Sequence, residues 1–268
     1  KGSGQTSVLD IFKNLNSLLI INIKSAKLDD DHTLNELKGN AQIKNNKIQK
    51  ANLSAKFDEK NVFLFTKDEI EGKNVTTIFS DFAKPFVKKF KFIRGFDGGK
   101  LDYTSTTIND DLSKSELRIY NFKLQDMPAL TKLLSLASLQ GIADLATGEG
   151  IRFNEFDMFF ENSKNLITIN EIYALGPAIS ILMEGYVEKN ELVSLRGTLV
   201  PATTINKTIA KIPLLGNILV GNKMGEGVFG VSFKIKGHPK NLDTRVNPIK
   251  TLTPRFITRT LDKIKKTN

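Results

Sequence analysis

The spacing of turn residues constrains this 268-residue chain more than any other feature. Asn, Asp and Gly gather at Lys38-Gly39-Asn40, Asn45-Asn46, Asp58 to Asn61, Glu71-Gly72, Asp97-Gly98-Gly99, Asn109 to Asp111, Asn162 to Asn165 and Glu188 to Asn190. Gly176-Pro177 interrupts the run Leu166 to Val187. The intervals are mostly about 10 to 25 residues, a rhythm that suits antiparallel hairpins. A doubly wound parallel sheet does not fit, because it needs a helix between successive strands. The sequence therefore predicts a mainly β chain of antiparallel hairpins, with about 16 strands that would span on the order of 75 Å at about 4.8 Å per strand.

A few helices are expected among the strands. Val8, Ile11, Phe12 and Leu15 share one helical face, and Asp81 to Phe90 suits a short second helix. The best-marked helix lies near residues 128–140. Asp126 can cap it, Pro128 suits its first turn, and Leu130, Leu133, Leu134 and Ala137 make an apolar stripe before Gly141. Leu136 and Leu139 widen the apolar surface, so this helix is buried or touches something apolar. Thr203 to Ile212 suits a fourth helix. A fifth follows Pro254 and runs to the C-terminus. No linker divides the chain, and residues 1–268 read as one elongated unit whose weakest joint is at 121–127. The chain opens at Lys1 rather than Met, and a longer parent protein with targeting signals upstream is the expectation.

Composition removes most chemistry. Absence of Cys excludes disulfides, thiol catalysis and Cys-bound zinc, and with only two His a His-built metal site is not expected. No metal or other cofactor is expected. His32 and His238 read as surface turn histidines, and Asp29 to Asp31 lack EF-hand spacing. Gly225 to Gly230 spells G-x-G-x-x-G, but Val231, Phe233 and Ile235 continue it as a strand rather than the helix a dinucleotide site requires. No G-x-S-x-G elbow is present. An enzyme is the unexpected class. The net charge of +10 comes mostly from Lys, with only seven Arg, and the cations are spread out. That pattern lacks the Arg forks of nucleic-acid readers, so no specific nucleic acid is expected.

From Asn121 onward the sequence resembles a known family. The run from Asn121 through Met127-Pro128 to Gly141, then Gly148-Glu149-Gly150-Ile151-Arg152-Phe153, Gly176-Pro177-Ala178-Ile179, Gly197 to Pro201, Ile212-Pro213-Leu214-Leu215-Gly216, Gly225 to Phe229 and Val246-Asn247-Pro248 follow one another in order. Together they resemble the C-terminal region of bacterial AsmA-like proteins, most nearly the large YhdP-like type of the Gram-negative envelope. The likeness is motif-rich over residues 91–258 and looser over 1–90. Where the family reads Pro-Gly after the Asn-Pro motif, this chain has Thr253-Pro254-Arg255.

The resemblance implies an elongated, curved antiparallel sheet forming an apolar groove, in a bridge-like lipid transfer protein anchored in the inner membrane, whose groove carries phospholipid acyl chains across the periplasm. This chain would be its distal part, in the periplasm and cell envelope. Residues expected to line the groove are Phe57, Phe63, Phe65, Leu133, Leu134, Ile151, Phe153 and Phe156, with Phe159 and Phe160 beside them. Each buried methylene of an acyl chain is worth about 0.8 kcal/mol, so a greasy groove suffices without polar recognition. Ile212, Leu214, Leu215, Ile218 and Leu219 are expected to cap the groove end. The basic amphipathic tail 254–268, with Arg255, Arg259, Lys263 and Lys266, suits an anionic membrane surface. The other reading is a structural or assembly factor of the outer membrane that binds a protein partner through a sheet edge.

Overall fold

The computed structural model describes residues 16–44, 47–87, 95–125, 128–136, 148–201 and 230–249. They form one antiparallel sheet of thirteen strands whose order in space equals their order in the chain. The strands are β1 (Ser17–Lys27), β2 (Thr33–Lys44), β3 (Lys47–Lys56), β4 (Val62–Ile70), β5 (Lys73–Ser80), β6 (Phe96–Asn109) and β7 (Leu112–Leu124). They continue as β8 (Ile151–Asn162), β9 (Leu166–Leu175), β10 (Ile179–Glu188), β11 (Leu192–Pro201), β12 (Gly230–His238) and β13 (Asn241–Ile249). Helix α1 (Lys84–Val87) lies between β5 and β6, and α2 (Pro128–Leu136) between β7 and β8. Among the described residues the sheet is open, with β1 and β13 as its edges. Twelve strand spacings carry it across about 58 Å.

The hairpins follow from turn chemistry. Glu71 and Gly72 take φ of 51° and 74°, left-handed at both central positions of the β4–β5 turn, whose twist matches that of the strands. At the β3–β4 turn, Asp58 Oδ1 accepts the backbone N–H groups of Lys60 and Asn61, both at 2.9 Å. Asn109 Oδ1 does the same for Asp111 at the β6–β7 turn.

Two expected turns are interior to strands. Gly39 belongs to β2, where a Cβ would lie 1.9 Å from the carbonyl oxygen of Asn52 on β3. Close approach of the neighbouring backbone, not a turn, requires glycine there. Gly98 and Gly99 belong to β6, with φ of 73° and 85°, and lie across from Asn121 of β7 at φ 53°. These left-handed residues rotate the strands instead of ending them. The rotation brings Phe96 and Phe122 into the same core as Leu101 and Ile119.

That core spans β6 to β13. It joins Ala83 and Val87 near α1, Leu133 and Leu134 of α2, the aromatic residues Phe96, Phe122 and Phe153, and Ile179, Leu199, Val231 and Phe233. α2 follows β7 in the chain yet packs against β13. The Leu-rich helix thus has a buried side at Leu133 and Leu134, while Lys132 and Ser135 are exposed. Its expected continuation to residue 140, and the expected helices at 8–15, 203–212 and after Pro254, fall outside the described residues. Strands β1 to β5 are thinner: their buried apolar side chains, Leu34, Ala41, Ile43, Ala51 and Ala55, are mostly alanines and lie outside the main cluster.

Candidate functional site

Strand register decides which side chains share a face. One row across the sheet runs Leu101, Ile119, Phe156, Ala174, Ile181, Leu199 and Val231, from β6 to β12. Two residues along, the next row is Tyr103, Leu117, Met158, Ile172, Met183, Gly197, Phe233 and Val246, reaching β13. A third is Ser105, Ser115, Phe160, Ile169, Gly185, Leu195, Ile235 and Thr244. No position in these rows carries a charge. The first row is mostly buried, whereas Leu117, Met158, Met183 and Val246 in the second and Phe160 and Leu195 in the third are half-buried. This is a continuous uncharged face, covered in part and wetted in part.

One bulge, in β9, keeps the face continuous. Phe159 and Phe160 of β8 pair with Glu171 and Ile169, and Met183 and Gly185 of β10 pair with Ile172 and Ile169, so β9 carries one extra residue at Asn170-Glu171 against both neighbours. Without it the alternation would carry apolar side chains to the other side, since a slip of one residue exchanges faces. Gly197 has a packing role as well. A Cβ there would lie 2.6 Å from Phe233 Cζ, so the Phe233 ring rests on the space that glycine leaves.

The opposite face is largely polar, and much of it is ordered by charge alternation. Arg118 of β7 lies between Asp102 of β6 and Asp157 of β8 in register, and also pairs with Glu116. Lys114 meets Glu161 at 3.2 Å, and Arg196 meets Glu184 at 2.7 Å. A smaller buried cluster of Tyr173, Leu182 and Val200 lies on this side.

The expected groove residues separate into three groups. Phe153 and Ile151 are buried, and Phe96, Phe122 and Phe153 form a stacked ladder across three strands with centroids 5.2 and 5.4 Å apart. Leu133 and Leu134, 3% and 0% exposed, press into the same core. Phe156 is half-buried, edge-on to Phe122, and stands in the first uncharged row. Phe63 and Phe65 lie on the same side at β4, where Phe63 stacks on Phe86 of α1. Phe57 is not in a strand. It follows β3 and packs edge-on to Phe82, beside His32. Phe159 faces the polar side, in register with Glu116. Ile212, Leu214, Leu215, Ile218 and Leu219, and Arg255, Arg259, Lys263 and Lys266, fall outside the described residues.

His32 departs from the expectation of a surface histidine. Its ring is 14% exposed, lies against Phe57 and Phe82, and pairs through Nδ1 with Asp29 Oδ1 at 2.8 Å. That oxygen also accepts the backbone N–H groups of Asp31 and His32. Burial pushes the Asp29 carboxyl up, but the His32 and backbone hydrogen bonds outweigh it and hold the group below the usual carboxylate range. The cluster of Asp29, Asp31 and His32 thus locks the β1–β2 turn onto an aromatic corner. His238 ends β12, where its Nδ1 accepts the backbone N–H of Lys240 in the turn.

Sequence reading alone missed the half-exposed residues Leu117, Met158, Met183, Leu195 and Val246. Alternation within each strand was a usable signal for them, but their alignment depends on register across strands. No helix among the described residues is long and apolar enough to cross a membrane. Comparisons with protein families, with curated proteins and with solved structures find no match to this chain.

Proposed function

We propose that this protein is a non-enzymatic lipid-transfer module that holds phospholipid acyl chains on the uncharged face of the sheet and lets them slide along it. The observation that carries this reading is the uncharged face across β6 to β13, on which Leu117, Met158, Met183, Leu195 and Val246 stay half-buried. A monomeric protein rarely leaves so extended an apolar surface wetted without a use for it. An acyl chain gains about 0.8 kcal/mol per methylene it buries there, and an uncharged path gives it no fixed stopping point. The resemblance of residues 91–258 to AsmA-like proteins supports the same reading, and with it a periplasmic module between inner and outer membranes.

The test is direct. Lipid extracted from the purified full chain and identified by mass spectrometry is expected to include phospholipid at a defined ratio to protein. Met183→Asp and Val246→Asp, each placing a carboxylate on the half-buried row, are expected to remain folded and to lower that ratio several-fold. Lipid-free protein, or equal lipid in the variants, would overturn the proposal.

A second reading, an envelope assembly factor, is favoured by one observation. Edge strand β1 exposes Leu18 and Ile20 by 69% and 83%, and has no charged side chain before Lys24. An apolar edge of this kind pairs readily with another strand. Ile20→Lys would abolish such pairing while leaving lipid content untouched.

A further inference from the structure

The polar face carries a second feature, on the side of the sheet away from the uncharged rows. Across β10 to β13 two rows of side chains enclose a trough of about 640 Å³. One wall is Glu184, Arg196, Lys234 and Arg245, in register on four successive strands. The other is Leu182, Thr198, Ser232 and Asn247, two residues away on each strand. The backbone between them makes the floor.

The charges on the first wall break the rule that the same face follows elsewhere. At Asp102, Arg118 and Asp157, and again at Glu184 and Arg196, each cation has an acid directly across from it. From Arg196 onward three cations stand side by side on β11, β12 and β13 with no acid between them. Like charges directly opposite destabilise a strand pair, so this arrangement costs the free protein stability. Arg196 turns Nε and Nη2 towards Glu184, and Arg245 turns Nε towards Asp243 at 3.0 Å. Lys234, the central cation, is exposed and meets no acid among the described residues. The facing wall adds the Thr198 hydroxyl and the Asn247 side-chain amide, together with the Ser232 hydroxyl, which donates to the Asn247 backbone carbonyl at 3.3 Å. A site whose first wall carries three cations and one acid, with the uncompensated Lys234 between two acid-paired arginines and neutral polar groups facing it, matches a compact anionic group.

We infer that this trough binds a phosphoryl group, with Lys234 as its central contact and Arg196 and Arg245 on either side. The ligand is a phosphate ester or diphosphate, free in solution or presented as a lipid headgroup. This inference stands apart from the lipid-holding face, which can fail without affecting it.

The experiment titrates the full chain with pyrophosphate, with vesicles of phosphatidylcholine with and without phosphatidylglycerol, and with oligoglutamate, at two salt concentrations. Lys234→Glu restores charge alternation, so it is expected to keep or raise the melting temperature while weakening binding at least about 10-fold. Lys234→Gln, which only removes the charge, is expected to lose less. Salt-sensitive pyrophosphate binding that is lost in Lys234→Glu supports a soluble phosphate ligand. Binding only to phosphatidylglycerol vesicles, lost in the same variant, supports a headgroup. Oligoglutamate binding as tightly as either would reduce the trough to general charge attraction and overturn the phosphoryl assignment. Binding unchanged in Lys234→Glu, or absent for all three probes, overturns the site itself.

Discussion

Asp81 shows how a single side chain ties this sheet together. It follows β5, its Oδ2 accepts the backbone N–H of Val62 on β4 at 2.9 Å, and its Oδ1 accepts Lys100 Nζ of β6 at 2.8 Å. The carboxylate is 8% exposed. Burial pushes its pKa up, and the hydrogen bonds from Lys100 and Val62 more than offset this, so the carboxyl is held below the usual range. A carboxyl with a depressed folded pKa contributes stability that is present above the unfolded value, about 3.9, and is lost as pH falls through the folded one. Asp29 follows the same sign. Asp81→Ala strands the Val62 N–H and is expected to cost about 1–3 kcal/mol at neutral pH. Urea unfolding of Asp81→Asn between about pH 6 and pH 3 should show a shallower loss of stability than the parent protein. An identical slope would mean that Lys100 and Val62 do not distinguish the charged form.

At the scale of elements, the aromatic ladder and α2 tie the sheet to its cover. Phe122 sits at the centre, stacked between Phe96 and Phe153 and edge-on to Phe156. Phe122→Ala is expected to cost about 3–5 kcal/mol, and Phe65→Ala, half-buried on the thinner side at β4, clearly less. Thermal unfolding of the two variants checks the order. The hairpins here were legible because Asn, Asp and Gly supply left-handed or side-chain-capped turns at Glu71-Gly72, Asp58 and Asn109. The same residues misled at Gly39 and at Gly98-Gly99. A left-handed glycine serves a turn or a strand rotation equally well, and only the partner strand decides between them. The Leu-rich helix was legible from its stripe, but its seat against β13 was not, since nothing local encodes a contact so far along the chain. The aromatic corner around His32 was hidden for a related reason: Phe57 and Phe82 reach it only after three hairpins have closed. The uncharged rows were legible strand by strand. Their continuity rests on one bulge in β9, which only its pairing with β8 and β10 reveals.

For the whole molecule, burial is uneven along the sheet. Strands β6 to β13 share one core with α1 and α2, whereas β1 to β5 bury mainly alanines. Local stability follows burial density, so opening should begin at the β1 end. Hydrogen exchange followed by mass spectrometry is expected to show amides of β7, β8 and β11 protected for much longer than those of β2 and β3. Uniform protection would show that the sheet opens as one unit.

The meander has an evolutionary consequence. Because every strand pairs only with its neighbours in the chain, duplicating or deleting one hairpin would change the length of the sheet by about 10 Å and leave all other pairings intact. Each copy would extend the uncharged rows by two positions, provided that its bulges kept the faces in phase. The span of such a protein is therefore a countable quantity, adjustable in whole hairpins, and selection could fit it to a fixed distance without redesigning a core.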